Sequence, residues 1–180
     1  MRMEARSLSA VRAAADSHNP AAAFELALRY QDGLGLPADA ETAVAWMQRA
    51  AADGHALAQY NLGILCLTGR GTPPDPTRAL SWLRASAEQG SLRAAFMLGT
   101  LYYEGVAGDR ALEEACKWLD TVAVRGGGIV PTWPRTAGLH DLTPEQVAEA
   151  RYLARRARAE SAGRPDDDTP QHPGRLRAGA

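Results

Sequence analysis

One nine-residue stretch of this chain comes back twice at a fixed distance. WMQRAAADG, beginning at Trp46, returns as WLRASAEQG from Trp82 and as WLDTVAVRG from Trp118, each step being 36 residues. The segments ahead of the tryptophans hold the same register: LALRYQDG from Leu26, LGILCLTG from Leu62 and LGTLYYEG from Leu98. A period of this length marks a supersecondary unit that cannot bury its apolar face alone and must stack on its copies. With 180 residues the chain is long enough for a short array with a real core.

Each unit reads as helix, turn, helix, turn. The first helix, A, is expected over residues 21–32, 56–68 and 92–104. Its constant columns are Ala22/Ala58/Ala94, Phe24/Tyr60/Phe96, Leu26/Leu62/Leu98, Ala27/Gly63/Gly99 and Tyr30/Cys66/Tyr102. These offsets wrap more than one face, which suits a helix covered on both sides. Gly63 and Gly99 fall mid-helix, where glycine costs about 1 kcal/mol against alanine. A recurring small residue there implies that a neighbouring helix crosses the backbone. Gly33, Gly69 and Gly105 follow helix A as left-handed stops. The second helix, B, is expected to start near Asp39, Asp75 and Asp109, with Asp75-Pro76 the clearest cap-then-proline signal. Asp109 comes two residues early, so the third turn should differ locally. Helix B carries Ala43/Ala79/Ala115 and the tryptophans, and it ends at Gly54, Gly90 and Gly126. The constancy of the Trp column points to inter-repeat core.

The ends differ from the middle. Residues 8–15 read as the second helix of a truncated repeat, so residues 1–18 form an N-terminal cap. Three full units then occupy residues 19–54, 55–90 and 91–126. Residues 127–142, rich in Gly and Pro, read as a long loop whose Trp133 folds back on the last repeat. Thr143-Pro144-Glu145-Gln146 is a capping-box pattern that opens a C-terminal capping helix over residues 143–159. Residues 160–180, with three consecutive Asp and Pro165, Pro170 and Pro173, read as a disordered tail.

Composition excludes more than it proposes. A net charge of −1 gives no global pull toward a polyanion or polycation. Lys117 is the only lysine; the other basic residues are arginine, and alanine is abundant, as tight helix packing wants. Cys66 and Cys116 are 50 residues apart, off the repeat, and read as small buried thiols in a reducing compartment. No apolar run approaches the roughly 20 residues of a membrane span, and no signal-peptide core follows Arg2 and Arg6. A cytoplasmic location and a monomer are the expectation.

These residues resemble the Sel-one-like repeat family, a branch of the tetratricopeptide-like α/α solenoids. The middle unit carries the pattern as Ala58, Leu62-Gly63, Gly69, Gly71, Asp75, Ala79, Trp82, Ala87 and Gly90. The first carries Ala22, Leu26, Tyr30, Gly33, Gly35, Asp39, Ala43, Trp46, Ala50-Ala51 and Gly54. The third has Ala94, Leu98-Gly99, Tyr102, Gly105, Ala115, Trp118, Ala123 and Gly126. Departures are Ala27 for Gly, Cys66 for the aromatic, Ala107 for the second Gly, and the early Asp109. The resemblance implies an all-α, right-handed α/α solenoid that holds a peptide or protein partner on its concave face, without a cofactor. Some relatives bind or hydrolyse β-lactams, and those carry a cysteine pair in each repeat; that pair and a Ser-x-x-Lys motif are missing here. Such a hydrolase, and an accessory subunit of a larger assembly, are the alternatives.

Chemistry is sparse. His18, His55, His140 and His172 show no zinc-ligand spacing, and His18 and His55 read as solvated turn residues. Glu113 and Glu114 are sequence neighbours and point apart on a helix. Arg151, Arg155, Arg156 and Arg158 could form an anion patch, but a helix C-terminus favours cations anyway and Asp166 to Asp168 offset them. Nucleic acid is therefore not the expected partner. Partner contacts should lie in helix A columns that vary while structural columns stay fixed. The candidates are Glu25, Arg29, Gln59, Asn61, Leu67, Met97 and Tyr103, graded from charged in the first unit to apolar in the third.

Overall fold

A computed structural model describes residues 7–106, 108, 111–125 and 143–162. Among them are eight helices and no strand: α1 Leu8–Asp16, α2 Pro20–Asp32, α3 Ala40–Ala52, α4 Ala56–Thr68, α5 Pro76–Glu88, α6 Leu92–Glu104, α7 Leu112–Arg125 and α8 Pro144–Ser161. Helices α2, α4 and α6 are the A helices, and α3, α5 and α7 the B helices. Each A helix packs on its own B helix, and each B helix packs on the next A helix. The solenoid is capped by α1 on α2 and by α8 on α7.

Cap chemistry sets the helix bounds. Asn19, His55 and Ser91, 36 residues apart, cap the A helices by accepting the amides of Ala22, Ala58 and Ala94. Asp39 and Asp75 cap α3 and α5. The third B helix departs from expectation: it begins at Leu112, not near Asp109, which lies outside the described residues. Its start keeps the 36-residue register because one backbone bond does. The amides of Asp39, Asp75 and Ala111 donate to the carbonyls of Tyr30, Cys66 and Tyr102 at 2.9, 2.7 and 3.1 Å. Helix α8 has the full capping box between Thr143 and Gln146 and runs to Ser161, past residue 159. Arg156, one turn before Glu160, donates to its carboxylate at 3.1 Å and holds that last turn. Residues 126–142, with the Trp133 contact, and the rest of the tail from 163 lie outside the described residues.

The core is built from columns. Leu26, Leu62 and Leu98 are fully buried, as are Met47, Leu83 and Leu119, the residues just after the tryptophans. The tryptophans themselves are only half-buried and pack against the core from its edge. The expected close crossing is at Gly63 and Gly99. A Cβ on Gly63 would meet Leu83 Cγ at 2.7 Å, and one on Gly99 would meet Leu119 Cγ at 2.7 Å. Repeat one has Ala27 at the glycine position and Met47 at the leucine position, both fully buried. Methionine is unbranched, so it leaves space for that Cβ.

Candidate protein-binding groove

The A helices stand side by side and expose one stripe each. On α4 the half-buried stripe is Tyr60, Asn61, Ile64 and Leu67; on α6 it is Phe96, Met97, Thr100 and Leu101. Between them Leu67, Phe96, Met97, Thr100 and Leu101 line a cavity of about 210 Å³, almost wholly apolar. The expected contacts Leu67 and Met97 are thus brought together across two repeats. Phe96, Thr100 and Leu101 join them. Phe96 belongs to a constant column, yet it both packs on the core and lines the cavity.

The other expected contacts are placed differently. Glu25 and Arg29 sit one turn apart on α2 and pair with each other at 2.7 Å. Asn61 is half-buried on α4. Gln59 does not face outward: it is 6% exposed, its amide nitrogen donates to the Ala51 carbonyl at 3.0 Å, and its carbonyl accepts from Gln89 at 2.7 Å. A buried amide satisfied on both ends is a joint between repeats. Its variable column misled because repeats one and three fill the same place with Ala23 and Ala95, also buried. Tyr103 is half-buried against the C-terminal cap. Its hydroxyl donates to Glu160 at 2.9 Å, and the Arg156 guanidinium lies 5.8 Å from the ring centroids of Tyr103 and Tyr152. Tyr103 therefore closes the groove at its α8 end rather than standing open in it.

The remaining chemistry-bearing residues are committed elsewhere. His55, expected to be solvated, is half-buried: Nδ1 accepts from the Ala58 amide at 3.2 Å and the ring stacks on Phe24 at 4.7 Å. Burial pushes its pKa below the usual histidine value. His18 is exposed, 3.9 Å from Asp53. Cys66 is fully buried, Cys116 half-buried, and both are free thiols. Burial raises both pKa values, the opposite of what a reactive thiolate needs. Glu114 is 2.6 Å from Lys117 Nζ and 3.7 Å from Arg84. The α8 arginines tie the cap down: Arg151 donates to the Ala123 carbonyl, Arg158 pairs with Asp120, and Arg156 with Glu160. No group of three or more His, Cys, Asp or Glu that could hold a metal occurs among the described residues. No helix among them is long and apolar enough to cross a membrane.

Stacked helix pairs, a 36-residue register and an open stripe on the A helices define an α/α solenoid of the kind that works as a binding surface. The Sel1 repeat profile matches residues 20–55, 56–91 and 92–120, more than half of the sequence. The chain belongs to the Sel1 repeat family. It is 38% identical to a Sel1 repeat protein from Oxalobacter formigenes, covering 68% of this chain and 92% of that one with a TM-score of 0.60. It is 25% identical to a protective antigen of uropathogenic Escherichia coli strains displaying an SLR fold, with a TM-score of 0.68; the match covers 88% of this chain and 33% of that one. No curated protein matches the sequence. Sel1 repeat proteins generally mediate protein–protein interaction.

Proposed function

We propose that this protein is a non-catalytic adaptor that holds a peptide or partner protein on the concave face of its A helices. The observation that carries the reading is the apolar cavity between α4 and α6, lined by Leu67, Phe96, Met97, Thr100 and Leu101. A concave apolar surface left open between packed helices is the usual mark of a partner site. The Leu67 and Met97 side chains supply the anchor, Asn61 a polar contact, and Glu25 with Arg29 a rim whose charges already offset one another. In this reading residues 19–126 are the binding unit, closed by α1 at one end and α8 at the other. Two free thiols suit a reducing, cytoplasmic setting. The pairing of Glu114, Arg158 and the other charged groups described above favours an adaptor over a hydrolase.

The test is affinity capture with mass spectrometry on three proteins: wild type, Met97→Glu in the cavity, and Val124→Glu on a side chain 75% exposed on α7. Partners held by wild type and Val124→Glu but lost with Met97→Glu are expected. An unchanged set with Met97→Glu, in a protein that melts normally, refutes the groove.

A further inference from the structure

The groove between α4 and α6 is uneven in charge along its length. One end is the apolar cavity at Leu67, Met97 and Thr100. The other end holds Arg93, the second residue of α6. Arg93 lies near enough to Tyr60 of α4 for its charge to oppose the rise that burial imposes on the phenol pKa. Between Arg93 and that cavity the stripes carry Tyr60, Asn61 and Ile64, none of them ionic at neutral pH. The first carboxylate on α6 is Glu104, its last residue, about three turns from Arg93. A guest lying in this groove therefore meets a cation at one end and an apolar cavity at the other.

The spacing between the two is readable. Arg93 and Thr100 are seven residues apart on one helix face, which is about 10 Å along the axis at roughly 1.5 Å per residue. An extended chain covers about 3.3 Å per residue, so three residues bridge the two points. The cavity, about 210 Å³, suits a single Leu- or Phe-sized side chain. A guanidinium has five N–H donors in a fork matched to a carboxylate, so an incoming carboxylate can join whatever partner Arg93 already serves.

We infer that the partner is an acidic extended segment: a large apolar side chain seated in the Leu67–Met97 cavity, and a carboxylate about three residues away along the chain on Arg93. This rests on the groove reading above and names the chemistry of its guest. The apolar side chain supplies affinity. The carboxylate supplies orientation, because a segment laid the other way would put its acid against apolar surface.

Methionine methyl NMR separates the possibilities. With methyl-labelled methionine, Met97 reports on the cavity and the fully buried Met47 reports on the fold. Two probes are titrated to about 5 mM, a range suited to one anchor and one rim ion pair: acetyl-Leu-Ser-Ser-Glu-amide and acetyl-Leu-Ser-Ser-Gln-amide. The Met97 signal should move and Met47 should not. The Glu peptide should bind about two- to fivefold more tightly than the Gln peptide. That advantage should vanish in Arg93→Gln, with Met47 unmoved as proof of folding, and it should vanish in high salt with the wild type. Equal shifts by both peptides overturn the acidic specificity while sparing the groove. A Met97 signal moved by neither peptide overturns both.

Discussion

Where an A helix has glycine at its centre, the facing B helix has leucine; where it has alanine, the B helix has methionine. The pairs are Gly63–Leu83 and Gly99–Leu119, each in close approach, and by the 36-residue register Ala27–Met47, both fully buried. Gly63→Ala tests this. The added methyl would sit 2.7 Å from Leu83 Cγ and 2.9 Å from Cδ2, with the Ala79 carbonyl oxygen at 3.4 Å. Carbon atoms rest at about 3.5–4.0 Å, so Leu83 would have to retreat by nearly 1 Å. Leu83 is fully buried and has no open side to retreat into. Overpacking of this kind costs about 1–3 kcal/mol, while alanine at a helix centre returns about 1 kcal/mol. The expected net loss is about 1 kcal/mol, or a melting temperature about 2–4 °C lower. Leu83→Met removes the branch at Cγ and rebuilds the repeat-one arrangement. In that background Gly63→Ala should be neutral or stabilising, for a coupling energy of about 1–2 kcal/mol in a double-mutant cycle followed by urea unfolding. A coupling within about 0.3 kcal/mol of zero, or a full 1 kcal/mol gain for Gly63→Ala alone, would show that the two residues do not share that space.

Three further outcomes follow from the same geometry. His18 holds φ +59° where Gly54 and Gly90 hold +84° and +94°, so His18→Gly should raise stability by about 0.5–1 kcal/mol in chemical unfolding, since its 3.9 Å contact with Asp53 is exposed and weak. Ala111 stands one register step beyond the caps Asp39 and Asp75, so Ala111→Asp should cap α7 and add about 1 kcal/mol, read as slower amide exchange in its first turn. His55 caps α4 through a neutral Nδ1, and burial depresses its pKa from the ordinary 6.5. Its contribution is therefore complete above pH 6.5 and is lost as pH falls through the lower folded value. His55→Asn caps in the manner of Asn19 without titrating, so the melting-temperature gap between variant and wild type should widen from pH 7 to pH 5; parallel curves would contradict the assignment.

Much of this fold was legible because a repeat reads each column several times. The A helix over 56–68, the glycine stops and the capping box at Thr143 were all visible as local chemistry. The crossing at Gly63 was legible as a cost needing a reason, but its partner Leu83 was not, because the tryptophan beside it drew the eye to the bulkier column. The exposed stripe of the A helices was only half legible. Variation between repeats points to exposure, which agrees with the half-buried Met97 but not with Gln59, 6% exposed. There the variation trades two buried alanines for an amide that bonds Ala51 and Gln89. Variation at a buried site reflects local joinery, and a single sequence cannot separate that from recognition. The contact of Tyr103 with Glu160 was not legible for a related reason. Its neighbour is not a fourth repeat but α8, and sequence periodicity says nothing about a helix that lies outside it.

The division of labour between columns explains how such a scaffold can hold a specific guest. Stacking uses the buried Leu26/Leu62/Leu98 and Met47/Leu83/Leu119 columns and the capped turns. The stripe residues at 97 and 100 are thus free of the constraints that fix their neighbours. In repeat one that freedom is used for Glu25 and Arg29, which satisfy each other at 2.7 Å and leave little net field for a partner. In repeats two and three it leaves Leu67, Phe96, Met97, Thr100 and Leu101 around an apolar cavity. Binding energy should then concentrate between α4 and α6, where apolar surface can be desolvated, while α2 mainly shapes approach. The cap α8 sharpens this by covering the equivalent space beyond α6 with Tyr103, Tyr152 and Arg156. On the proposed reading a short guest anchors between α4 and α6, and α8 sets where that groove ends.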